Sequence, residues 1–469
     1  MRSAAGDAMT ATTDATTLRP SDTGRPGLRR VTLYGMTALA ALLVGYDLGV
    51  MAGAILFIKQ DLSLSPAAVG LVVSVVSLAS VGTALVAGPL VDRFGRRRML
   101  VAAAVTLTIA SLGSAAATSA GMLLAFRVLI GIGTCIATTT VPTYLAELAP
   151  ARSRGSLTSL YQLMWAIGAL VAFLVDYSLA SGAQWRLMIG AGAVLALLTA
   201  VGLLFQPESP RWLVRQGRLD EARAALAISD PSDVDEVLRE LSDSGERTRP
   251  GRLSELWADR SLRRVLLFGC GIAALQQLIG INAIVYYAPT ILTDMGFGAK
   301  TAILNSVGLG VLSVIATLVE IRLIDRVGRR RLMLLGGTLL GLSMVTLAVV
   351  FGVGAIHHTT GRVVALVAIA VFKAGFSLSW GPVVWVSLPE IFPLRFRGAG
   401  VGAAVLCNGL MNFAVVQVFP SLLVLGPTAV FGGFAFFCVI AVLFAKRLMA
   451  ELAGQSLEHI ASRTFTTTH

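Results

Sequence analysis

Twelve apolar stretches, each long enough to cross a bilayer, run through this chain: 31–58, 67–91, 98–117, 120–146, 155–179 and 185–205, then 262–289, 299–324, 331–353, 361–388, 397–424 and 427–446. A helical span needs about 20 predominantly apolar residues. None of the stretches alternates with period two, and only helices or closed barrels satisfy the backbone in lipid, so the pattern predicts helices. Polar positions collect in short loops, in 1–30, in 206–261 and in 447–469. Within 206–261, "DEARAAL" and "VDEVLREL" space their apolar residues as short amphipathic helices, with "SDVD" (232–235) as a cap for the second. This segment is smaller than an independent catalytic domain of roughly 100 residues.

The pattern is written twice. "GPLVDRFGRRRML" (88–100) returns as "IRLIDRVGRRRLM" (321–333), and "ELAPARSRG" (147–155) returns as "EIFPLRFRG" (390–398). Each copy falls at the same place in a set of six spans. The expected architecture is an all-α membrane protein with two six-helix pseudo-repeats, 31–205 and 262–446, joined by linker helices in 206–261. Parallel six-helix repeats are a transporter architecture, with the binding site near the midplane between halves.

Composition agrees. Hydrophobic residues are 55% of the chain and charged residues 14%, against about 25% charged in soluble proteins; mean hydropathy is +0.78. A net charge of +12 raises the question of nucleic acid, and position answers it. Basic residues concentrate in alternate loops, 92–98, 151–154, 206–261, 325–331 and 395–397, while "ATSAG" (117–121) and "LGPTA" (425–429) are neutral. This asymmetry predicts a multi-pass protein of the cell membrane with the linker and both termini cytoplasmic, and no nucleic-acid partner. Residues 1–30, rich in Thr, Ala and Asp, lack an apolar core and read as a disordered cytoplasmic tail, not a signal peptide. Cys135, Cys270, Cys407 and Cys438 fall inside apolar spans without CxxC spacing, and the four histidines form no cluster. No metal site, cofactor or paired catalytic set is expected.

Two kinds of residue disturb the apolar spans. Asp47, in "GYDLGVMAG" (45–53), is the one charge between Val31 and Ile58. A carboxylate at such a depth costs roughly 2.5–3.5 kcal/mol by insertion scales and calls for a partner. The basic residue away from the ends of the first-half spans is Arg127. The other intruders are amides: "QQLIGIN" places Gln276, Gln277 and Asn282 in the seventh span. Amides donate and accept together, which suits hydroxyl-rich ligands, whereas two adjacent amides facing lipid would be costly. Bonding between neighbouring helices, worth about 0.6 kcal/mol on average, is the plainer use for them.

The ordered motifs "GYDLGVMAG", both DRxGRRR loops, "RVLIGIG", "PTYLAELAPARSRG", "PESPRWL", "QQLIGINAIVYYAP" and "SWGPVVWVSLPEIFPLRFRG" resemble the sugar porters of the major facilitator superfamily, and closely the bacterial proton-coupled sugar symporters. The likeness covers about 31–446. It implies import of a monosaccharide, hexose or pentose, by proton symport through alternating access, with the protein acting as a monomer in the bilayer. It implies that Gln162, Gln276, Gln277, Asn282, Phe376, Trp385 and Asn408 contact the sugar, with Tyr286 and Asn412 as secondary members. It pairs Asp47 with Arg127 for proton coupling. A cytoplasmic charge network is implied from Asp92, Arg93, Arg97, Glu147 and Arg154 in one half and Asp325, Arg326, Arg330, Glu390 and Arg397 in the other. Two positions depart from the family pattern: Ser313, where an asparagine is usual, and Glu320, where a small apolar residue is expected, an acid expected to snorkel or to pair with Arg322 or Arg326. A facilitative uniporter and a non-transporting sugar sensor share the fold. A sensor would need a longer cytoplasmic segment than the tail offers.

Overall fold

The computed structural model describes residues 26–148, 154–229, 234–235, 238–239 and 253–448. The expected disordered tail (but for 26–30), most of the C-terminal tail and the cap at 232–233 lie outside these residues. Twelve helical spans are present among them. The first half comprises α1 (Pro26–Asp61), α2 (Pro66–Phe94), α3 (Arg96–Ala115), α4 (Ala120–Leu148), α5 (Arg154–Leu179) and α6 (Trp185–Leu204). The linker contributes α7 (Pro210–Arg215), α8 (Leu219–Ser229) and α9 (Leu253–Ala258).

In the second half two spans are each built from two helices. The seventh is α10 (Arg260–Leu278) and α11 (Ile281–Asp294); the tenth is α14 (Thr359–Leu378) and α15 (Trp380–Ile391). Between them stand α12 (Ala299–Val327) and α13 (Arg329–Gly352), and α16 (Arg397–Leu425) and α17 (Pro427–Leu448) follow. The first break is at Gly280, whose φ of 91° suits glycine; a Cβ there would also sit 2.8 Å from the Phe434 ring. The second is at Ser379, with φ −138° and ψ −91°. Irregular backbone at membrane depth survives only where protein or a cavity surrounds it.

Helix starts follow local chemistry. Ser65 and Ser209 cap α2 and α7, accepting from the Ala68 and Trp212 N–H groups, each ahead of a proline in the first turn. Within the first half, α1 and α5 pack backbone to backbone. A Cβ at Gly45 would lie 1.9 Å from the Trp165 carbonyl oxygen, one at Gly49 2.7 Å from that of Ala169, and one at Gly168 2.0 Å from that of Leu42. Small residues permit this approach in a membrane, where dispersion between close surfaces drives association.

An even number of spans separates the N-terminus from the linker, so both lie at one end of the bundle, here the linker end. The halves meet along α2 with α16, α5 with α12, and α1 with α11. Their contacts concentrate toward the opposite, far end. There Ser74 donates to Gln417 (2.9 Å), Gln417 to the Ala67 carbonyl (3.1 Å), and Asn412 to Ser77 (2.9 Å). Met51, Ile55 and Ile58 join Ile284 and Ile291 in one buried cluster. The three hydrogen bonds tie the halves together at the far end.

Candidate functional site

Asp47 stands midway along α1 and finds the partner its depth requires. Arg127 Nη1 donates to Asp47 Oδ1 at 2.5 Å, and Arg127 Nε to the Val72 carbonyl at 3.2 Å. The guanidinium is 1% exposed and the carboxylate 13%. Among the described residues Arg127 Nη2 has no hydrogen-bond partner. The acid is therefore the accessible member of the pair, and the arginine depends on it for compensation of its charge.

The amides form one chain of hydrogen bonds around the break at Gly280. Gln276 Nε2 donates to the Trp380 and Gly381 carbonyls (2.8 and 3.1 Å), bracing the two broken spans together. Asn408 donates to Gln276 Oε1 and to the Ala273 carbonyl, both at 2.8 Å. Gln277 Nε2 donates to Asn408 Oδ1 at 3.2 Å, Asn282 to Gln277 Oε1 at 2.9 Å, and Asn282 to Asn412 Oδ1 at 2.9 Å. Through Asn412 and Ser77 the chain crosses to the first half. Gln276 and Asn408 are thus spent on holding helices. Asn282 keeps its amide oxygen uncommitted, and Gln162, half-buried on α5, takes part in no hydrogen bond among the described residues. Phe376 is half-buried ahead of the break at Ser379, and Trp385 is 39% exposed on α15. Tyr286 is buried in the core cluster.

Beside these residues lies a small, mostly apolar cleft between the halves. Leu48 of α1, Trp165 of α5, Ile284 of α11, and Ser306 and Ser313 of α12 line it with Lys373 of α14. Ser313, the departure from the expected asparagine, lies 3.2 Å from Ser377 Oγ. Glu320 is 5% exposed and so sits inside the packing instead of snorkelling.

At the linker end the repeated loops do equivalent things. Arg96 pairs with Glu147 (2.9 Å) and Asp92 (3.1 Å), and Arg329, four residues after Asp325 as Arg96 is after Asp92, pairs with Glu390 (3.3 Å). Arg97 and Arg330, expected in the charge network, instead donate to the Gln206 and Lys446 carbonyls (2.9 and 2.8 Å). Arg93 lies over the Phe94 ring at 5.4 Å. Arg326 is exposed and Arg397 half-buried. Arg154 and Asp325 lie outside the residues whose side chains are described. The "PESPRWL" segment docks on the first loop. Glu208 Oε1 accepts from the Arg96, Arg97 and Ser209 N–H groups at 2.8, 2.9 and 2.9 Å, placing an anion at the α3 N-terminus. Ser209 donates to Glu147 (2.5 Å), Trp212 Nε1 to the Asp92 carbonyl (2.9 Å), and Tyr144 to that of Pro207.

Four charged residues in or beside this machinery escape the sequence reading: Arg96, Arg329, Glu208 and Lys373. Asp176 is a fifth, fully buried where α5 touches Gly53. Lys373 and Asp176 carry the signal that found Asp47, a charge inside an apolar span. The arginines do not, because neighbours of the same type differ only in which way the helix turns them.

Comparison with known proteins fixes the lineage. The family described as "Sugar (and other) transporter" matches residues 33–463. A D-xylose transporter of Levilactobacillus brevis is 38% identical over 91% of this chain and 94% of its own length. The galactose-proton symporter of Escherichia coli is 34% identical over 91% and 92%. Among solved structures, the xylose transporter XylE of E. coli, in a partially occluded inward-open conformation, superposes with a TM-score of 0.80 at 28% identity, covering 92% of this chain and 100% of XylE. The chain belongs to the sugar transporter family: it is a multi-pass membrane transporter and not an enzyme.

Proposed function

We propose that this transporter imports a monosaccharide across the cell membrane by proton symport, with the linker and both termini cytoplasmic. The observation that carries the reading is the Asp47–Arg127 pair: a carboxylate with partial access, bonded at 2.5 Å to a fully buried guanidinium, beside the cleft between halves. Ionised, Asp47 holds α1 to α4. Once protonated it no longer balances Arg127, and the helices that meet there gain a reason to rearrange. Breaking a buried pair costs about 3–5 kcal/mol, enough to bias two conformations that differ by a few kcal/mol. The proton symporter among the relatives supports the coupling, as does the xylose transporter the substrate class.

Substrate hydroxyls meet Gln162 and the free oxygen of Asn282, within an amide chain already ordered by its own bonds. Gln276, Gln277 and Asn408 hold that chain in register, and Trp385 and Phe376 offer ring faces to the apolar side of a sugar. At the cytoplasmic end, Arg96 with Asp92 and Glu147, and Arg329 with Glu390, fasten each half internally. When the site faces outward, motif residues of the two halves come together and close this end. The test is uptake into proteoliposomes with labelled neutral monosaccharides and an imposed pH gradient. Accumulation above equilibrium that collapses with the gradient is expected. Equilibration without accumulation would leave a uniporter, and no uptake of any sugar would remove the reading.

A further inference from the structure

Lys373 is the unexplained charge of the cleft. It sits in the tenth span, 7% exposed, on the lining of the cavity between halves. Among the described residues it forms no ion pair and no hydrogen bond. Its one polar-face contact is the Trp165 ring, whose centroid lies 5.9 Å from Nζ, at the edge of cation–π range. An ammonium inside a membrane protein without a counter-charge carries a large solvation cost, and such groups mark substrate or ion pathways.

The other ionisable groups around the cleft do not balance it. Asp47 is engaged by Arg127, and that pair sums to zero. Glu320 lies about two turns from Ser313 along α12 and is bonded elsewhere. Asp176 is buried on α5 against Gly53, one turn beyond the lining residue Phe173, so Lys373 is the one ionisable side chain on the lining itself. A second group points the same way: Ser306 lines the same cavity, is 1% exposed, and its hydroxyl has no hydrogen-bond partner. An ammonium and a hydroxyl, neither with a hydrogen-bond partner among the described residues, thus stand on the lining of one otherwise apolar cleft. It lies close to the amides assigned above to sugar hydroxyls: Trp165 is three residues after Gln162, and Val285, also on the lining, three after Asn282.

We propose that Lys373 and Ser306 form a carboxylate subsite, and that the substrate is a sugar acid, a hexuronate or aldonate whose hydroxyls meet Gln162 and Asn282. The proposal rests on the sugar-transport reading and sharpens it. One singly charged sugar acid moving with one proton carries no net charge, whereas a neutral sugar with one proton does.

The experiment uses the full-length protein in nanodiscs and proteoliposomes, with matched probes: D-glucose against D-glucuronate, D-galactose against D-galacturonate, D-gluconate, and acetate as a bare carboxylate. The uronates or gluconate are expected to bind at least tenfold tighter than the neutral sugars and than acetate. Lys373→Met, which removes an unpaired charge at similar volume, is expected to keep the fold by size-exclusion profile and to lose the preference for acids; Lys373→Arg is expected to retain the preference. Uptake of the acid with a proton is expected to be electroneutral in current recordings. Tight binding of neutral sugars with no acid preference, or an acid preference unchanged in Lys373→Met, overturns this inference and leaves sugar transport standing. Acetate bound as well as the uronates reduces the site to a bare anion trap and also overturns it. Failure to bind any neutral or acidic sugar overturns both readings.

Discussion

Replacing Asp47 by asparagine separates a proton-coupling carboxylate from a permanent brace. The substitution keeps the shape and one acceptor oxygen, so what disappears is the charge. Arg127 then still donates to the amide oxygen and, at 3.2 Å, to the Val72 carbonyl, with Nη2 still unpartnered. Breaking a buried pair costs about 3–5 kcal/mol, and a hydrogen bond from the cation to a neutral oxygen recovers about 1.5–3 kcal/mol. The net is on the order of 1–3 kcal/mol, or roughly 5- to 140-fold in an equilibrium at 1.4 kcal/mol per tenfold. Under the proposed coupling, protonation of the wild type delivers a free energy of this size at each turnover; in Asp47→Asn it is fixed. Proteoliposomes with a gradient of one pH unit should accumulate substrate about tenfold at one proton per molecule, since one unit is worth about 1.4 kcal/mol. The variant should reach only the external concentration, while counterflow exchange of labelled for unlabelled substrate persists. Accumulation in the variant at the wild-type ratio would refute the coupling role and leave Asp47–Arg127 as a structural bridge.

Three further outcomes are expected. Asn282→Ala strips a donor from Gln277 Oε1 and Asn412 Oδ1; each buried acceptor left bare costs about 1–3 kcal/mol, so substrate affinity by calorimetry should fall on the order of ten- to a hundredfold. Glu208→Ala leaves the Arg96, Arg97 and Ser209 N–H groups without their acceptor, and the thermal unfolding midpoint in detergent should drop by the equivalent of about 1–3 kcal/mol; an unchanged midpoint would deny the docking any role in stability. In a background with Cys135, Cys270, Cys407 and Cys438 changed to serine, a cysteine at exposed Thr118 should react with an impermeant thiol reagent added to intact cells, and one at exposed Gln216 should not. The reverse pattern would invert the proposed orientation.

The spans were legible because bilayer thickness sets a length that composition reports directly; α1 begins at Pro26, five residues before the expected start. The breaks were harder. Gly280 stands in "QQLIGIN", where amides interrupt the apolar run without showing that a helix ends there, and Ser379 is one small residue among several, so three-dimensional surroundings decide where the breaks fall. Asp47 and Arg127 stood out as charges in an apolar field. Arg96, Arg97 and Arg98 are alike in type, and successive residues point about 100° apart on a helix of 3.6 residues per turn. Which of them meets Glu147 is decided by how α3 is turned against α4, information that identical neighbours do not carry. The amides were legible as a group, but their division into those bonded to helices and those left free depends on reach across three helices.

The close seam of α1 and α5 makes the two halves mechanically unlike, although one sequence pattern underlies both. With carbonyl oxygens 1.9–2.7 Å from where a Cβ would stand at Gly45, Gly49 and Gly168, this seam has no side-chain cushion to compress, and sliding it would drive backbone into backbone. The second half has two spans already interrupted, at Gly280 and Ser379, where a change of dihedral angle at one residue swings a half-helix without disturbing its hydrogen bonds. Compliance is therefore concentrated in one copy of the duplicated unit and stiffness in the other. The proposed cycle of opening and closing would then use the first half, which carries Asp47, as the fixed jaw, and would place bending in the jaw that carries the amides.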